Sequence, residues 1–151
     1  MKSTFLLITV LAGIICLCLS ASCTKSDESP DKNSKTGLTV VFIEKYISAW
    51  NETDSIKRIA ILKDVFAEDG FHVSAFDGSD GLQGLSQEIG RSKSRFAGYT
   101  YSSDHHITMS NYGFWIWRMY DTNKDLFIWG YDFGELNDDG KLKKVIGFAH
   151  P

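Results

Sequence analysis

The sequence predicts an α+β domain in which helices pack on one face of a hairpin-linked sheet. Three helical patterns occupy residues 38–96, and most of the β-branched and aromatic runs follow them. Short polar connections separate the later runs, as expected for hairpins. Helices first and strands afterwards are typical of an α+β domain, because the helices can then cover one face of the sheet.

The helices are predicted from apolar residues that recur at helical spacing. The first such stripe covers residues 38–50. Thr53 or Asp54 can cap the second helix, whose apolar face extends to Phe66. A third amphipathic stretch runs over residues 82–96.

A short strand is predicted over residues 71–76, and the glycine-containing segment 77–81 predicts a turn. Four longer strands follow at residues 99–109, 114–121, 126–136 and 142–150. The strand over 114–121 carries large apolar side chains on both faces. This indicates either a pocket on one side of the sheet with a homodimer contact on the other, or a local excess of aromatic residues in a monomer.

The first 23 residues have the organisation of an export signal. Lys2 precedes an apolar run of fifteen residues at 5–19, and the small residues 20–22 lead to Cys23. The run is short for a membrane span, which needs about twenty apolar residues. Its length and its small-residue end instead favour a signal peptide covering residues 1–22.

The segment ending at Cys23 resembles the lipobox of bacterial lipoproteins. The resemblance implies that Cys23 carries the lipid and anchors the mature protein in the bacterial cell envelope, at the outer membrane or facing the periplasm. All three cysteines fall within the first 23 residues, so the rest of the chain has no disulfide, thiolate nucleophile or cysteine metal site.

The segment 24–36 is polar and has no aliphatic residue, so it cannot bury enough apolar surface to offset its ordering entropy. We therefore expect a flexible tether at 23–36 and one domain at 37–151. The net charge is −3, and no basic run is present, which argues against a nucleic-acid partner. No cofactor and no metal site are predicted.

Several short segments, in this order, resemble the nuclear transport factor 2-like superfamily and its SnoaL-like and ketosteroid-isomerase-like members. They are YISAWNETD at 46–54, FAED at 66–69, GLQGL at 81–85, DGKL at 139–142 and IGF at 146–148. The resemblance implies a curved, mostly antiparallel sheet wrapped around the helices, leaving a cone-shaped cavity.

The same resemblance suggests site residues. In ketosteroid isomerases a tyrosine and a protonated aspartate form an oxyanion hole, and here Tyr46 and Asp132 match them. The proton-shuttling aspartate of those enzymes is replaced by Ser74, and Ala75 stands where its proline would be. Because a serine hydroxyl is too weak a base, steroid isomerisation by the familiar route is not expected.

His105 and His106 lie on a predicted strand, where neighbouring side chains point to opposite faces and cannot easily share a metal ion. Alternation places His105 with the more apolar set, so His105 would face the cavity and could act as a base near neutral pH. A β-bulge would exchange the two assignments.

Asp132 shares its strand face with Gly130 and Gly134, which leaves room for a ligand or a helix. It is interpreted either as a cavity acid with a raised pKa or as a structural group that caps a helix or pairs with a cation such as Arg118. Trp50 and Trp129 are candidate walls of a ligand cavity, or simply core residues.

Two classes of function remain. The first is a membrane-tethered module whose cavity binds a small, mostly apolar molecule. The second is an isomerase, cyclase or dehydratase that uses a cavity histidine with Tyr46 and Asp132. The serine at position 74 favours the first class.

Overall fold

The computed structural model describes residues 37–150; the predicted signal peptide, Cys23 and the tether lie outside this part of the chain. Its elements are α1 (Val40–Asn51), α2 (Ser55–Val65), β1 (Phe66–Val73), β2 (Gly78–Asp80), α3 (Gly81–Arg95), β3 (Thr100–Met109), β4 (Tyr112–Tyr120), β5 (Leu126–Leu136) and β6 (Leu142–Ala149). The predicted α+β architecture is confirmed.

Side-chain caps fix where the first two helices begin. Thr39 Oγ1 accepts a hydrogen bond from the Phe42 amide at 3.3 Å. Asp54 caps α2, with Oδ1 accepting from the amides of Ile56 and Lys57 at 2.8 and 3.0 Å. Both contacts satisfy amide groups that have no partner within the helix.

The first strand begins earlier than its sequence pattern predicts. Phe66, expected on the apolar face of α2, is instead the residue at which the chain turns extended and enters β1. The pairing of β1 with β6 is interrupted between Phe66 and Phe71. Part of the predicted turn after β1 forms the short strand β2.

The six strands form one sheet in the order β2-β1-β6-β5-β4-β3. Only β1 and β6 run parallel, and every other neighbouring pair is antiparallel. The helices cover one face of this mixed sheet, which we call the inner face. The main core lies between them, with Tyr46 and Trp115 as its largest buried side chains.

The opposite, outer face carries apolar side chains that remain accessible in the described part of the chain. Alternation along β3 and β6 places Ile107, Met109 and Phe148 on this face, exposed by 67, 71 and 57%. Among residues 37–150, no helix has both the length and the apolar character needed to cross a bilayer.

Candidate functional site

A cavity of about 320 Å³ opens between the inner face of the sheet and the helices α1 and α3. Most of its wall is aromatic or aliphatic. The apolar lining residues are Ile47, Trp50, Phe76, Phe96, Tyr101, Trp117, Met119, Phe127 and Ile128. Its polar residues separate by burial into two groups, one inside the protein and one at the surface.

The inner group is the acid–imidazole cluster, which consists of His72, Glu88 and Asp132. These side chains line the cavity and are only 2, 4 and 6% exposed. Burying ionisable groups is costly unless they are paired or hydrogen-bonded, so three of them at one end of an apolar cavity call for an explanation.

Asp132 projects from β5 onto the inner face, opposite Trp115 on β4 and Gly147 on β6. Burial raises the pKa of its carboxyl to about 7, although His72 and the indoles of Trp115 and Trp117 lower the pKa in part. This is the direction expected for a desolvated cavity acid. The carboxyl is therefore poised to exchange a proton near neutral pH.

Gly130 and Gly134 were expected to leave space for a ligand beside Asp132, but tryptophan rings occupy that space. A Cβ at Gly130 would lie 2.6 Å from the Trp117 ring, and one at Gly134 would lie 2.8 Å from the Trp115 ring. The two glycines thus admit indole rings, not a ligand. Arg118, the cation suggested as a partner of Asp132, instead pairs with Asp104.

Room for Asp132 comes instead from Gly147 on β6. A Cβ at this position would lie 2.9 Å from Asp132 Oδ1 and 3.2 Å from Ser74 Cβ. His72 and Asp132 lie on the two strands that flank β6, opposite Val145 and Gly147. The glycine therefore leaves open the sheet position between the imidazole and the carboxyl.

His72 is held by α3. Its Nδ1 lies 2.9 Å from Glu88 Oε2, and the same oxygen accepts a hydrogen bond from Ser79 Oγ at 2.7 Å. Because a carboxylate can only accept, Nδ1 carries the proton, so in the neutral form of the ring Nε2 is the acceptor nitrogen. Among the described residues, no hydrogen bond engages Nε2.

Sequence reasoning missed His72 and Glu88. Helical spacing could have identified Glu88, since it follows Leu85 by three residues and therefore lies on the buried side of α3. The sequence around His72 gives weaker evidence of a buried site residue. His72 sits between Phe71 and Val73, and only the parallel pairing with β6 brings it to the same end of the sheet as Asp132.

Tyr46 lies close enough to the cluster for the charge of Asp132 to act on it. It is fully buried, packs edge-on against Trp115 with ring centroids 5.9 Å apart, and is not among the cavity-lining residues. Burial, followed by the Asp132 charge, holds the pKa of its phenol well above the usual range. Its hydroxyl has no hydrogen-bond partner within residues 37–150.

The structure does not bring His105 and His106 to this cavity. The β3–β4 register shifts between Asp104 and Ile107, and His105 adopts a positive φ of 47° at this bulge. His105 is exposed, and His106 Nε2 lies 3.0 Å from Ser103 Oγ. A β-bulge was expected to exchange the sheet faces of His105 and His106. The observed bulge instead leaves both side chains outside the cavity.

The two candidate cavity tryptophans differ. Trp50 lines the cavity, and its ring lies 5.5 Å from that of His72. Trp129 is not a lining residue and stacks on His150 with centroids 4.3 Å apart. Ser74, at the position of the missing base, does line the cavity.

The exposed lining residues define the mouth of the cavity: Phe76, Asp77, Arg91, Arg95 and Phe127. Asp77 Oδ2 accepts hydrogen bonds from Nε and Nη2 of Arg91 at 3.2 and 2.7 Å. Within residues 37–150, no cluster of three or more histidine, aspartate or glutamate side chains is arranged to hold a metal ion.

No protein-family model matches the chain, and no curated protein matches it. Solved structures do resemble it. A candidate isomerase of the SnoaL-like family from Agrobacterium tumefaciens is 26% identical, with a TM-score of 0.71 over 74% of this chain and 96% of that chain. A nuclear transport factor 2-like protein of unknown function from Mesorhizobium loti is 16% identical, with a TM-score of 0.58 over 81% of this chain and 97% of that chain.

A candidate polyketide cyclase from Sinorhizobium meliloti is 12% identical, with a TM-score of 0.57 over 72% of this chain and 94% of that chain. Its likeness, like that of the Mesorhizobium loti protein, concerns the fold alone. The three helices, the curved six-stranded sheet and these neighbours agree with one another. The chain therefore has the α+β cone fold of the SnoaL-like and nuclear transport factor 2-like proteins.

Proposed function

We propose that this protein binds a small, mostly apolar molecule in the cavity between its helices and its sheet. The observation that carries the proposal is the make-up of the cavity wall, in which aromatic and aliphatic side chains enclose a few buried polar groups. Small-molecule sites in proteins typically have this composition, because apolar walls supply affinity while convergent polar groups fix orientation.

The size of the cavity limits the ligand. Its 320 Å³ is about ten water volumes and lies at the small end of the range of known ligand sites. A single ring system or a short branched chain fits this space. The polar atom of such a ligand would lie against the acid–imidazole cluster.

Tryptophan fluorescence can test this binding, because Trp50 and Trp117 lie in the wall. We expect saturable quenching by a neutral aromatic probe such as 2-naphthol. Ile128→Phe should weaken binding by filling the cavity, whereas Ile116→Phe, on the outer side of β4, should not. Equal affinity in both variants, or no saturable quenching, would contradict the proposal.

We further propose that the domain is tethered to a membrane of the bacterial cell envelope through a lipid on Cys23. The support is the apolar run at 5–19, the small residues before Cys23 and the absence of any later cysteine. Mass spectrometry of membrane-extracted protein should find a lipid-modified N-terminal Cys23. Cys23→Ala should abolish the modification, and Cys18→Ala should leave it unchanged.

A homodimer through the outer face of the sheet is proposed as the partner arrangement. Ile107, Met109 and Phe148 contribute exposed apolar surface there, and no described element covers it. Such patches are typical of protein contacts. Phe148→Glu should convert a dimer to a monomer in sedimentation experiments, whereas Val41→Glu, on α1, should not. A monomeric wild-type protein would contradict the arrangement.

A second candidate function is proton transfer on the bound molecule, as in an isomerase, cyclase or dehydratase. The acid–imidazole cluster favours it, since His72 offers Nε2 as a base and Asp132 holds a proton up to about pH 7. Two structural neighbours are named as a candidate isomerase and a candidate polyketide cyclase, which is compatible with such chemistry. In this candidate function His72 is the cavity base, a role that the sequence analysis gave to His105 or His106.

Hydrogen exchange can test this candidate without a known substrate. The protein would be incubated in D2O with a panel of cyclic enones and β-ketoesters, and deuterium uptake at the α-carbon would be followed by NMR. His72→Gln and Asp132→Asn should each slow exchange by about 10²-fold, the usual contribution of a general acid or base. His106→Gln, outside the cavity, is the matched control. Uptake that is unchanged in both cavity variants would contradict the candidate.

A further inference from the structure

The helix α3 lines the cavity from its buried end to its mouth. Glu88 lies at the buried end, Arg91 and Ser92 follow one turn later, and Arg95 reaches the surface. Seven residues separate Glu88 from Arg95, which corresponds to roughly 10 Å along a helix at 1.5 Å per residue. A ligand of that length would contact the acid–imidazole cluster and the mouth at the same time.

The charges at the mouth do not cancel. Arg91 uses two of its donors on one oxygen of Asp77. The hydrogen bonds from Arg91 lower the pKa of Asp77 most, and the charge of Arg95 lowers it further. Arg95 itself forms no ion pair within residues 37–150. Two guanidinium groups and one carboxylate leave the mouth with an excess of one positive charge.

The buried end has the opposite character. Glu88 and Asp132 are acidic, and His72 is their only basic neighbour among the lining residues. An anionic group placed there would face two carboxyl groups in a medium that screens charge poorly. An anion that enters this cavity therefore has one favourable orientation, with its charge at the mouth and its apolar body inside.

We propose that the ligand is an amphipathic carboxylate, whose acid group binds Arg95 and Arg91 while its apolar part fills the cavity. This inference rests on the proposed binding function and names its ligand class. Arg95 is the specificity-determining residue, since its guanidinium is not already held by a protein carboxylate. Arg91 retains donors beyond the two that contact Asp77 and completes the site.

The test compares 4-phenylbutanoate with its neutral amide and with 4-phenylbutylamine, using the full mature protein and isothermal calorimetry. At low salt the carboxylate should bind about tenfold more tightly than the amide, which is about 1.4 kcal/mol. The amine should bind most weakly. Raising the salt to molar concentration should reduce the ratio, because the mouth is exposed and its charges are screened.

Arg95→Gln should bring the carboxylate-to-amide ratio close to one, because the carboxylate loses much more affinity than the amide does. Lys57→Gln removes the same charge from the exposed first turn of α2 and should leave the ratio intact. Equal binding of carboxylate and amide, or a ratio that survives Arg95→Gln, would overturn the ligand class alone. No binding of any of the three compounds would overturn the proposed binding function together with this inference.

Discussion

Ionisable side chains are buried in two regions of the molecule, around Arg58 and in the acid–imidazole cluster. The two regions differ in how fully these side chains are hydrogen-bonded. Arg58, on α2, is 5% exposed. Its Nη1 donates to the carbonyl oxygens of Glu52 and Thr53 at 2.8 and 3.4 Å, and its Nε donates to Ser86 Oγ at 3.2 Å. The guanidinium thereby joins the chain after α1 to α3.

The acid–imidazole cluster is buried to the same degree but has unused hydrogen-bonding groups. Nε2 of His72 has no hydrogen bond among the described residues, and the hydroxyl of the nearby Tyr46 lacks a partner there as well. Unpartnered buried polar groups are rare because each costs about 1–3 kcal/mol. The His72 ring lines the cavity, and Tyr46 belongs to the core that packs beside it.

The comparison separates two uses of a buried charge. A group whose donors end on backbone carbonyls, as Arg58 does, stabilises the fold and has little capacity left for a ligand. A group that faces open space, as Asp132 does, lowers stability and keeps that capacity.

Asp132→Asn should change how stability depends on pH. The wild-type carboxyl stays protonated up to about pH 7 in the folded protein but ionises from about 3.8 when unfolded. The folded state thus binds more protons between these values, so the free energy of unfolding falls as pH rises through this window. At 1.36 kcal/mol per pK unit the loss is about 4 kcal/mol.

The asparagine variant lacks this loss, so its stability relative to wild type should increase by about that amount between pH 4 and pH 8. Urea denaturation at several pH values measures it. Asp139→Asn, in the exposed β5–β6 turn, is the control and should follow the wild-type curve. Parallel curves for Asp132→Asn and wild type would show that the acid is hydrated.

Arg58→Met should destabilise the protein by about 3 kcal/mol, because three acceptors lose a buried donor while only the aliphatic part of the side chain is retained. Ligand affinity of the folded protein should not change. Lys57→Met, one residue earlier and exposed, should cost less than about 0.5 kcal/mol. Loss of binding in Arg58→Met without loss of stability would show that Arg58 serves the ligand and not the fold.

Gly147→Ala should displace the Asp132 carboxyl, since its Cβ would lie 2.9 Å from Oδ1. We expect a loss of about 2 kcal/mol from overpacking, together with weaker ligand binding. Gly78→Ala is the matched control, because its nearest contact would be 3.4 Å. Unchanged binding in Gly147→Ala would mean that the position of the carboxyl does not matter to the ligand.

Glu88→Gln should have the smallest effect on stability, about 1 kcal/mol, because the amide oxygen still accepts a hydrogen bond. Its main consequence should be a weaker hydrogen bond from His72 Nδ1–H, because a neutral amide is a poorer acceptor than a carboxylate, and imidazole ¹⁵N chemical shifts report this change. Ser79→Ala removes the other donor to Glu88 and should leave the Nδ1 shift close to that of the wild type. An unchanged Nδ1 shift in Glu88→Gln would show that the charge of Glu88 does not hold the ring.

Much of the fold follows from local patterns in the sequence. The helical stripes, the cap at Asp54 and the four later strands depend on neighbours within a few residues. The site depends on longer-range pairing, which explains why only some of it was predicted. Asp132 and Trp50 were found, whereas His72 required the parallel β1–β6 register. The backbone bulge at His105 has no marker in the residue types around it.

We infer that Asp132 is a desolvated acid kept for a ligand and not for the fold. Its titration can be followed directly by NMR of the side-chain ¹³C carboxyl signal, assigned with the Asp132→Asn variant. We expect a midpoint near pH 7, which shifts when 4-phenylbutanoate occupies the cavity. A midpoint near pH 4 that does not change with the ligand would contradict this inference.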